Sequence, residues 1–414
     1  LLAFFVSDNT EIPGCRKAIK LMAGEVFVLG GKRTPMGEYV GMLKDISAIE
    51  LGAIAARAAL ETTGVAPNEI DHTIIGNALQ TSGDAIYGGR HVALKAGVPF
   101  DRPALTVNRL CGSGIQSIVS GAQMIQLNEA QVCLVGGMES MSQAPHVIRG
   151  ARSGFALGQG KLEDSLMVAL LDTYCNVPMA GTAENLARKF EIQRDDQDKY
   201  ALRSQQAAKR ALDAGFFAEE IVPVEVKTRK GTVLFDQDDH PRPETTLEGL
   251  GKLRPAFSKD GFVTAGNASG IVDGAAALII AGEDFIKAKN IKPMGRIVSW
   301  AYAGVEPELM GIGPVPATRQ ALEKAGLQLT DIDLIEVNEA FAAQYLAVEQ
   351  ELGLDRERTN VNGGAIALGH PLGATGTRLV LTLLHELRRR GGRYGLATAC
   401  IGGGQGIAMI CERV

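Results

Sequence analysis

The sequence predicts an α/β protein built from two copies of one unit, with a large insertion between them. Three observations predict this. Residues 59–71 (ALETTGVAPNEID) and 321–333 (ALEKAGLQLTDID) share six of thirteen positions without a gap. Further matches follow each copy in the same order, the mark of an internal duplication. Strand-like and helix-like runs alternate through both copies, as layered α/β folds require. At roughly 150 residues per domain, the 414-residue chain divides into two to three domains. A composition 46% hydrophobic and 21% charged excludes a mostly disordered chain.

Residues 1–21 combine a short apolar head (Leu1, Leu2, Phe4, Phe5) with Asp8, Glu11, Arg16, Lys17 and Lys20. The head is too short for a secretory signal, and the acidic residues argue against a transit peptide. The segment reads as a leader or non-native stretch outside the fold.

The first half, residues 22–140 completed by 271–292, opens on Met22 and a first strand at Val26-Phe-Val-Leu-Gly. The repeated segment supplies a helix end, a stop at Gly64 and a strand at His72-Thr-Ile-Ile. Next come Thr106-Val-Asn, a glycine turn, and a helix whose Ile115, Ile118, Val119, Ala122 and Ile125 recur at helical spacing. Val132-Cys-Leu-Val-Gly-Gly closes the unit.

The middle, residues 141–270, belongs to neither copy. Its polar helical stretches (183–193 and 196–214), the basic run Lys227-Thr-Arg-Lys and the loop His240-Pro-Arg-Pro suggest an insertion domain. Ala275 to Ala281 returns the chain to a core sheet. The second half, residues 293–414, repeats the plan. It has a strand at Leu334-Ile-Glu-Val, then Asn360-Val-Asn and a glycine turn. A helix follows through Leu379, Leu381, Leu383, Leu384 and Leu387, and then Thr398-Ala-Cys-Ile-Gly-Gly.

A net charge of −5 gives no general attraction to nucleic acid. No apolar run approaches the roughly 18 residues of a membrane helix. The six cysteines are far apart and form no CxxC pair, so neither a disulfide framework nor a zinc ribbon is implied. A reducing compartment fits this pattern. Fifty glycines, against a usual share of about 7%, suggest close backbone approach to a ligand.

Three glycine-rich turns each hold one reactive side chain. Cys111, in Asn108-Arg-Leu-Cys-Gly-Ser-Gly, follows a strand and opens a helix, where unpaired N–H groups and the dipole favour a thiolate. The competing role is a small buried residue. His370 sits in a Gly-His-Pro-Leu-Gly turn with little local bulk. It is expected to present an exposed imidazole able to serve as a base; a plain turn histidine is the alternative. Cys400 ends a strand and opens Gly402-Gly-Gly, at the place in the second copy that matches Cys133-Leu-Val-Gly-Gly. The N–H groups of such a turn can form an oxyanion hole. Asn338 follows the strand Leu334-Ile-Glu-Val. It either faces the crevice at the strand end or caps a helix. Cys133 and Cys411 lie in apolar strands and read as core.

Cys111 within VNRLCGSGIQSI, GGMESMSQAP at 136–145, NEAFAAQ at 338–344, NVNGGAIALGHPLGATG at 360–376 and CIGGGQG at 400–406 together resemble the thiolases. The resemblance spans about 22–414. It implies a thiolase-like fold of two βαβαβαββ halves in a layered α/β arrangement, with the insertion as a loop domain that binds coenzyme A. It implies Cys111 as the acyl-accepting nucleophile, His370 as its base and Cys400 as a second acid/base. Asn338 would hold an oxyanion-hole water, and the N–H groups of Cys111 and Gly402 a second hole. Arg242, Phe257 and Ser269 match coenzyme A contacts, and Met179, Met310 and Phe341 would line the acyl pocket. Gly249 stands where the family has a contacting Ser.

The implied reaction is thiolysis of short- to medium-chain 3-ketoacyl-CoA, acetoacetyl-CoA included, or the reverse condensation. No metal or redox cofactor is implied, since coenzyme A is a substrate. Pro178 stands where short-chain biosynthetic members carry a His, as in the mitochondrial type. A homotetramer is expected from the glycine-rich, weakly charged segment 141–160, with Met141, Phe155 and Leu157. The expected location is the bacterial cytoplasm, with the mitochondrial matrix as the alternative. A non-catalytic coenzyme A scaffold or an acyl-CoA hydrolase is the competing function. The complete set of Cys111, Asn338, His370 and Cys400 argues against a scaffold.

Overall fold

A computed structural model describes residues 24–414; the expected leader at 1–21 lies outside the described residues. The first half contributes strands β1 (Val26–Arg33), β2 (His72–Gly76), β3 (Ala104–Val107), β4 (Val132–Glu139) and β5 (Val272–Gly282). The second contributes β6 (Gly295–Gly304), β7 (Leu334–Val337), β8 (Tyr394–Ile401) and β9 (Gln405–Arg413). They join one sheet in the order β7-β8-β9-β6-β1-β5-β4-β2-β3, with the short strand Gly37–Glu38 also paired to β5. Outward from the β1–β6 junction the order is β5-β4-β2-β3 on one side and β9-β8-β7 on the other. The duplication read from the sequence is thus a near-mirrored strand order. β2 pairs in parallel with β3 and β4, and β7 with β8, while the inner pairs are antiparallel.

The mirror fails at one place. Asn360-Val-Asn, the counterpart in sequence of Thr106-Val-Asn at the end of β3, forms no strand. Only a single parallel bridge forms there, between Ile335 and Thr359. Asn360 adopts φ +47°, and its amide takes over the pairing. Its Oδ1 accepts from Val337 N at 2.8 Å, and its Nδ2 donates to Val337 O at 2.9 Å. A side chain here does the work of a strand neighbour.

Helices α1 (Ala48–Thr63) and α2 (Ser113–Gln126) belong to the first half. Helices α3 (Met179–Lys189) and α4 (Arg194–Asp213) lie in the middle region. The second half holds α5 (Pro314–Ala325), α6 (Ala342–Leu352) and α7 (Leu372–Arg390). Ser47 caps α1 by accepting from Glu50 N, and Gly64 ends it at φ +68°. Gly326, at the matching place in the repeat, ends α5 at φ +69°. Between β4 and β5 no strand joins the large sheet; that region holds α3, α4 and three two-stranded ribbons. No helix among the described residues is long and apolar enough to cross a membrane.

The apolar faces of α2 and α7 share one core with strand residues of both halves, among them Val28, Ile280, Ile401 and Met409. α1 packs with the other face of the first half. α3, α5 and α6 pack with the other face of the second. Central strands covered on both faces read as continuous apolar runs, as β5 does in Ala275-Ala-Ala-Leu-Ile-Ile-Ala. Where α2 meets α7, both backbones are bare. A Cβ on Gly114 would lie 2.4 Å from Thr377 N, and one on Gly376 would lie 2.4 Å from Ile115 N.

Backbone atoms at this crossing have nowhere to move. Gly376→Ala is therefore expected to destabilise the protein by about 1–3 kcal/mol through overpacking. The readout is the thermal transition compared with Gly391→Ala, where a Cβ meets nothing within 4 Å but φ is +73°. If Gly376→Ala melts with the wild type, the close-approach argument is wrong.

Candidate active site

The loop after β3 turns sharply into α2. Leu110 is held at φ +45°, a strained value for a branched side chain. Asn108 Oδ1 accepts from Leu110 N at 2.9 Å, and Ser113 Oγ accepts from Arg109 N at 2.8 Å while donating to Leu110 O at 2.7 Å. The turn leaves Cys111 just ahead of α2, partly exposed to a cavity of about 180 Å³. The expected thiolate is not favoured in this closed cavity: burial pushes the Cys111 thiol up to about 11. The N–H groups of Gly402 and of Cys111 itself pull the other way, and the Glu139 carboxylate adds to the rise. The two N–H groups expected to form an oxyanion hole thus both face this sulfur.

His370 stands just ahead of α7 and lines the same cavity. It is not the exposed imidazole expected from the turn; only 5% of it is accessible. Its N–H donates to Gly270 O at 2.9 Å. Its Nδ1 lies 2.6 Å from Thr375 Oγ1, and its Nε2 lies 3.3 Å from Asn338 Nδ2. Burial, reinforced by the Arg378 guanidinium, pulls its pKa down to about 3. The ring is therefore neutral near pH 7. No hydrogen bond joins it to Cys111 among the described residues.

Asn338 is fully buried beyond the end of β7, and its N–H donates to Thr398 O on β8 at 2.9 Å. The helix-cap alternative fails, because α6 begins only at Ala342 with Phe341 in the cap position. Asn338 Oδ1 has no partner. Cys400 near the end of β8 is also fully buried, packed with Met310, Ala340, Met179 and Phe341. Burial raises its thiol well above the ordinary value, and the neighbouring Cys111 raises it further. Met179, Met310 and Phe341 line the cavity, as do Phe257 and Ser269. Gly402 approaches Leu110 and Met179 so closely that a Cβ would lie 3.1 and 3.3 Å from them.

Arg242 is not in this cavity. It lines a second one of about 430 Å³, with Gly249 and His240. Its Nη1 donates to the carbonyls of Asp239, His240 and Pro241, and its Nη2 pairs with Glu38. His240 stands between the two cavities: a Cβ on Gly270 would fall 2.2 Å from its Nε2. Lys227 to Lys230 occupy the exposed tip of a hairpin between Val224–Thr228 and Gly231–Phe235.

Sequence reasoning missed two groups. Glu139, at the end of β4, accepts from Asn77 Nδ2, Ala78 N, Leu79 N and Gly373 N at 2.8–3.0 Å. Burial nonetheless raises its carboxyl to about 7. It stitches the first half to the start of α7. Glu339, beside Asn338, accepts from Tyr200 Oη, Ser204 Oγ, Asn360 Nδ2 and Ile366 N at 2.6–3.1 Å. The signal for both was an acid inside an otherwise apolar or small-residue strand end, Gly-Met-Glu-Ser and Val-Asn-Glu-Ala.

A thiol and a neutral imidazole on one apolar cavity, with an unpartnered amide oxygen beside the ring and a second thiol behind the cavity wall, fit an enzyme that moves acyl groups. Comparison with known proteins agrees. Residues 26–284 match the family described as thiolase, N-terminal domain, and residues 291–413 match thiolase, C-terminal domain. Human mitochondrial 3-ketoacyl-CoA thiolase is 60% identical over 388 residues, covering 94% of this chain and 98% of that protein. An acetyl-CoA acetyltransferase of Pseudomonas aeruginosa is 51% identical over 391 residues, 94% of this chain and 99% of that one. A crystal structure of the human mitochondrial 3-ketoacyl-CoA thiolase in complex with CoA superposes with a TM-score of 0.92 at 58% identity, covering 95% of this chain and 99% of that one. The fold and site define an acyltransferase. The chain belongs to the thiolase family, in which coenzyme A is a substrate and no resident cofactor is used.

Proposed function

We propose that the protein cleaves short- to medium-chain 3-ketoacyl-CoA, acetoacetyl-CoA included, with coenzyme A, and runs the reverse condensation through the same site. The observation that carries the reading is the grouping of Cys111 and His370 on one cavity, with Asn338 against the His370 ring and Cys400 packed behind the cavity-lining Met179, Met310 and Phe341. In cleavage the Cys111 sulfur attacks the 3-keto carbon after giving its proton to His370. The bond between C2 and C3 breaks, and its electron pair leaves on C2 as the enolate of acetyl-CoA. Cys400 protonates C2. The thiol of coenzyme A then gives its proton to the Cys400 thiolate and displaces Cys111 from the acyl group, giving the shortened acyl-CoA, while His370 returns its proton to the Cys111 sulfur.

Burial suits Cys400 to its step but opposes the transfer from Cys111 to His370, since it raises the thiol to about 11 and lowers the imidazole to about 3. A raised thiol pKa keeps Cys400 protonated near neutral pH and ready to quench the enolate. The free Asn338 Oδ1 is an acceptor for a water that would donate to the enolate oxygen. The N–H groups of Cys111 and Gly402 would hold the oxygen of the tetrahedral adduct. Met179 and Met310, with Phe341, line the cavity, and flexible thioethers repack around chains of different length. Residues 141–270 are proposed as the loop domain that receives coenzyme A, with 22–140 plus 271–292 and 293–414 as the catalytic halves. Strong likeness to the mitochondrial human enzyme shifts the proposed location from the bacterial cytoplasm to the mitochondrial matrix.

Cys400→Ser should still form an acyl-enzyme on Cys111 but condense two acetyl-CoA at least about a hundredfold more slowly, because a hydroxyl is a poor base for a C–H proton. Peptide mass mapping after acid quench locates the acyl group. Near wild-type condensation by this variant would sink the two-cysteine mechanism.

Arg242 is proposed to meet the phosphate end of coenzyme A by exchanging Glu38 for phosphate. A charge-assisted contact of this kind is worth roughly 1.5–3 kcal/mol. Arg242→Ala should then raise the KM for coenzyme A about tenfold with kcat little changed. Comparing coenzyme A with its 3′-dephospho form tests the contact: equal discrimination by wild type and variant would assign the phosphate to another residue.

A homotetramer is proposed as the working assembly. The support is the exposed Phe155 and Leu157 in the 141–160 loop, and the exposed Leu105 on β3, an edge strand of the sheet. Light scattering at micromolar concentration should give four times the 43.8 kDa chain mass; a monomer there refutes the proposal.

A further inference from the structure

We propose that Thr375 is a positioning residue that sets the tautomer of His370 and so decides which ring nitrogen receives the proton of Cys111. The inference rests on reading His370 as the base. Thr375 lies in the first turn of α7, five residues after His370, and is fully buried. Its hydroxyl donates to Pro371 O at 3.0 Å. A hydroxyl has one hydrogen, so toward the imidazole its oxygen acts as an acceptor. With the hydroxyl donating to Pro371 O, the 2.6 Å contact to Nδ1 places the ring proton on Nδ1.

A neutral imidazole carries a single N–H. With Nδ1 protonated, Nε2 has a free lone pair. The group facing Nε2 at 3.3 Å is the Asn338 Nδ2 amide, which only donates. All three bonds thus run in one direction: Asn338 amide to Nε2, Nδ1–H to Thr375, Thr375 hydroxyl to the Pro371 carbonyl. The Arg378 guanidinium and burial hold the ring neutral between turnovers.

The opposite arrangement has a definite cost. If Thr375 turned its hydrogen to Nδ1, Nε2 would carry the N–H and Asn338 would have to rotate its oxygen toward it. Nε2 could then take no proton from the thiol, and the Asn338 oxygen would be withdrawn from a bridging water. The hydroxyl at 375 is the only side-chain partner of Nδ1 among the described residues. Serine can replace it; an apolar residue of the same shape cannot.

Four proteins, with one spectroscopic and one kinetic readout, test this. In wild type labelled with ¹⁵N-histidine, the His370 signals, assigned by their loss in His370→Asn, should show a protonated Nδ1 and a bare Nε2. Thr375→Val should lose that pattern and lower kcat for thiolysis about tenfold or more, with the KM for coenzyme A within about twofold. Thr375→Ser should restore both. A protonated Nε2 in wild type overturns the inference, and so does a Thr375→Val enzyme with wild-type kcat and tautomer. Should Thr375→Val fail to fold, the wild-type spectrum and Thr375→Ser still decide. If His370→Asn keeps most of its activity, the base assignment itself falls, whatever the tautomer.

Discussion

The site depends on one steric constraint: two helices must begin side by side in the middle of the protein. Gly114 and Gly376 permit it, because each occupies space that a methyl group would deny to the other backbone. Cys111 stands just before α2, and His370 just before α7. Bringing the two helix starts together therefore brings the proposed nucleophile and the proposed base together. Apolar packing around α2 and α7, shared by strands of both halves, holds the crossing in place. Glu139 adds a polar tie, bonded at once to the loop after β2 and to Gly373 in the first turn of α7.

The duplicated halves have divided their labour. Asn77 follows β2 as Asn338 follows β7. Asn77 donates to Glu139 at the end of β4 and spends itself on anchoring. Asn338 donates to His370 and keeps its oxygen free. At the equivalent strand end of the second half stands the buried thiol of Cys400. One architecture thus carries a structural carboxyl group on one side and a thiol proposed to react on the other. Desolvation acts on both, raising Glu139 to about 7 and Cys400 well above its ordinary value.

The fold was legible because duplication and periodicity are local signals: α2, β4 and β8 begin within a few residues of where the apolar spacing puts them, whereas α7 begins at Leu372, inside the stretch read as a glycine turn. The reactive residues were legible for a similar reason, since glycine turns around Cys111, His370 and Cys400 can be seen in one dimension. Their environments could not. Whether a turn histidine is exposed depends on Val272, packed against Gly369, and on the Gly270 backbone, all distant in sequence. The lack of a second-half counterpart to β3 at Asn360 has a cause outside local sequence, an amide that pairs with Val337 only after folding. Arg242 was placed by motif alone, and its carbonyl and Glu38 partners arise from tertiary contacts.

The carboxylate of Glu339 bears on how this protein could have been assembled. Two of its four donors, Tyr200 and Ser204, come from α4 in the middle region, and the other two from the second half. The neighbouring residue is Asn338. Cutting out the middle region would leave the buried Glu339 carboxyl without two of its donors, beside Asn338, at the cost of unsatisfied buried oxygens. The insertion is therefore no detachable module. A recombinant that borrowed it from a distant relative would have to carry Glu339 and Asn360 across as well. Loops elsewhere on the surface can drift freely, but this seam between modules must be inherited as a set.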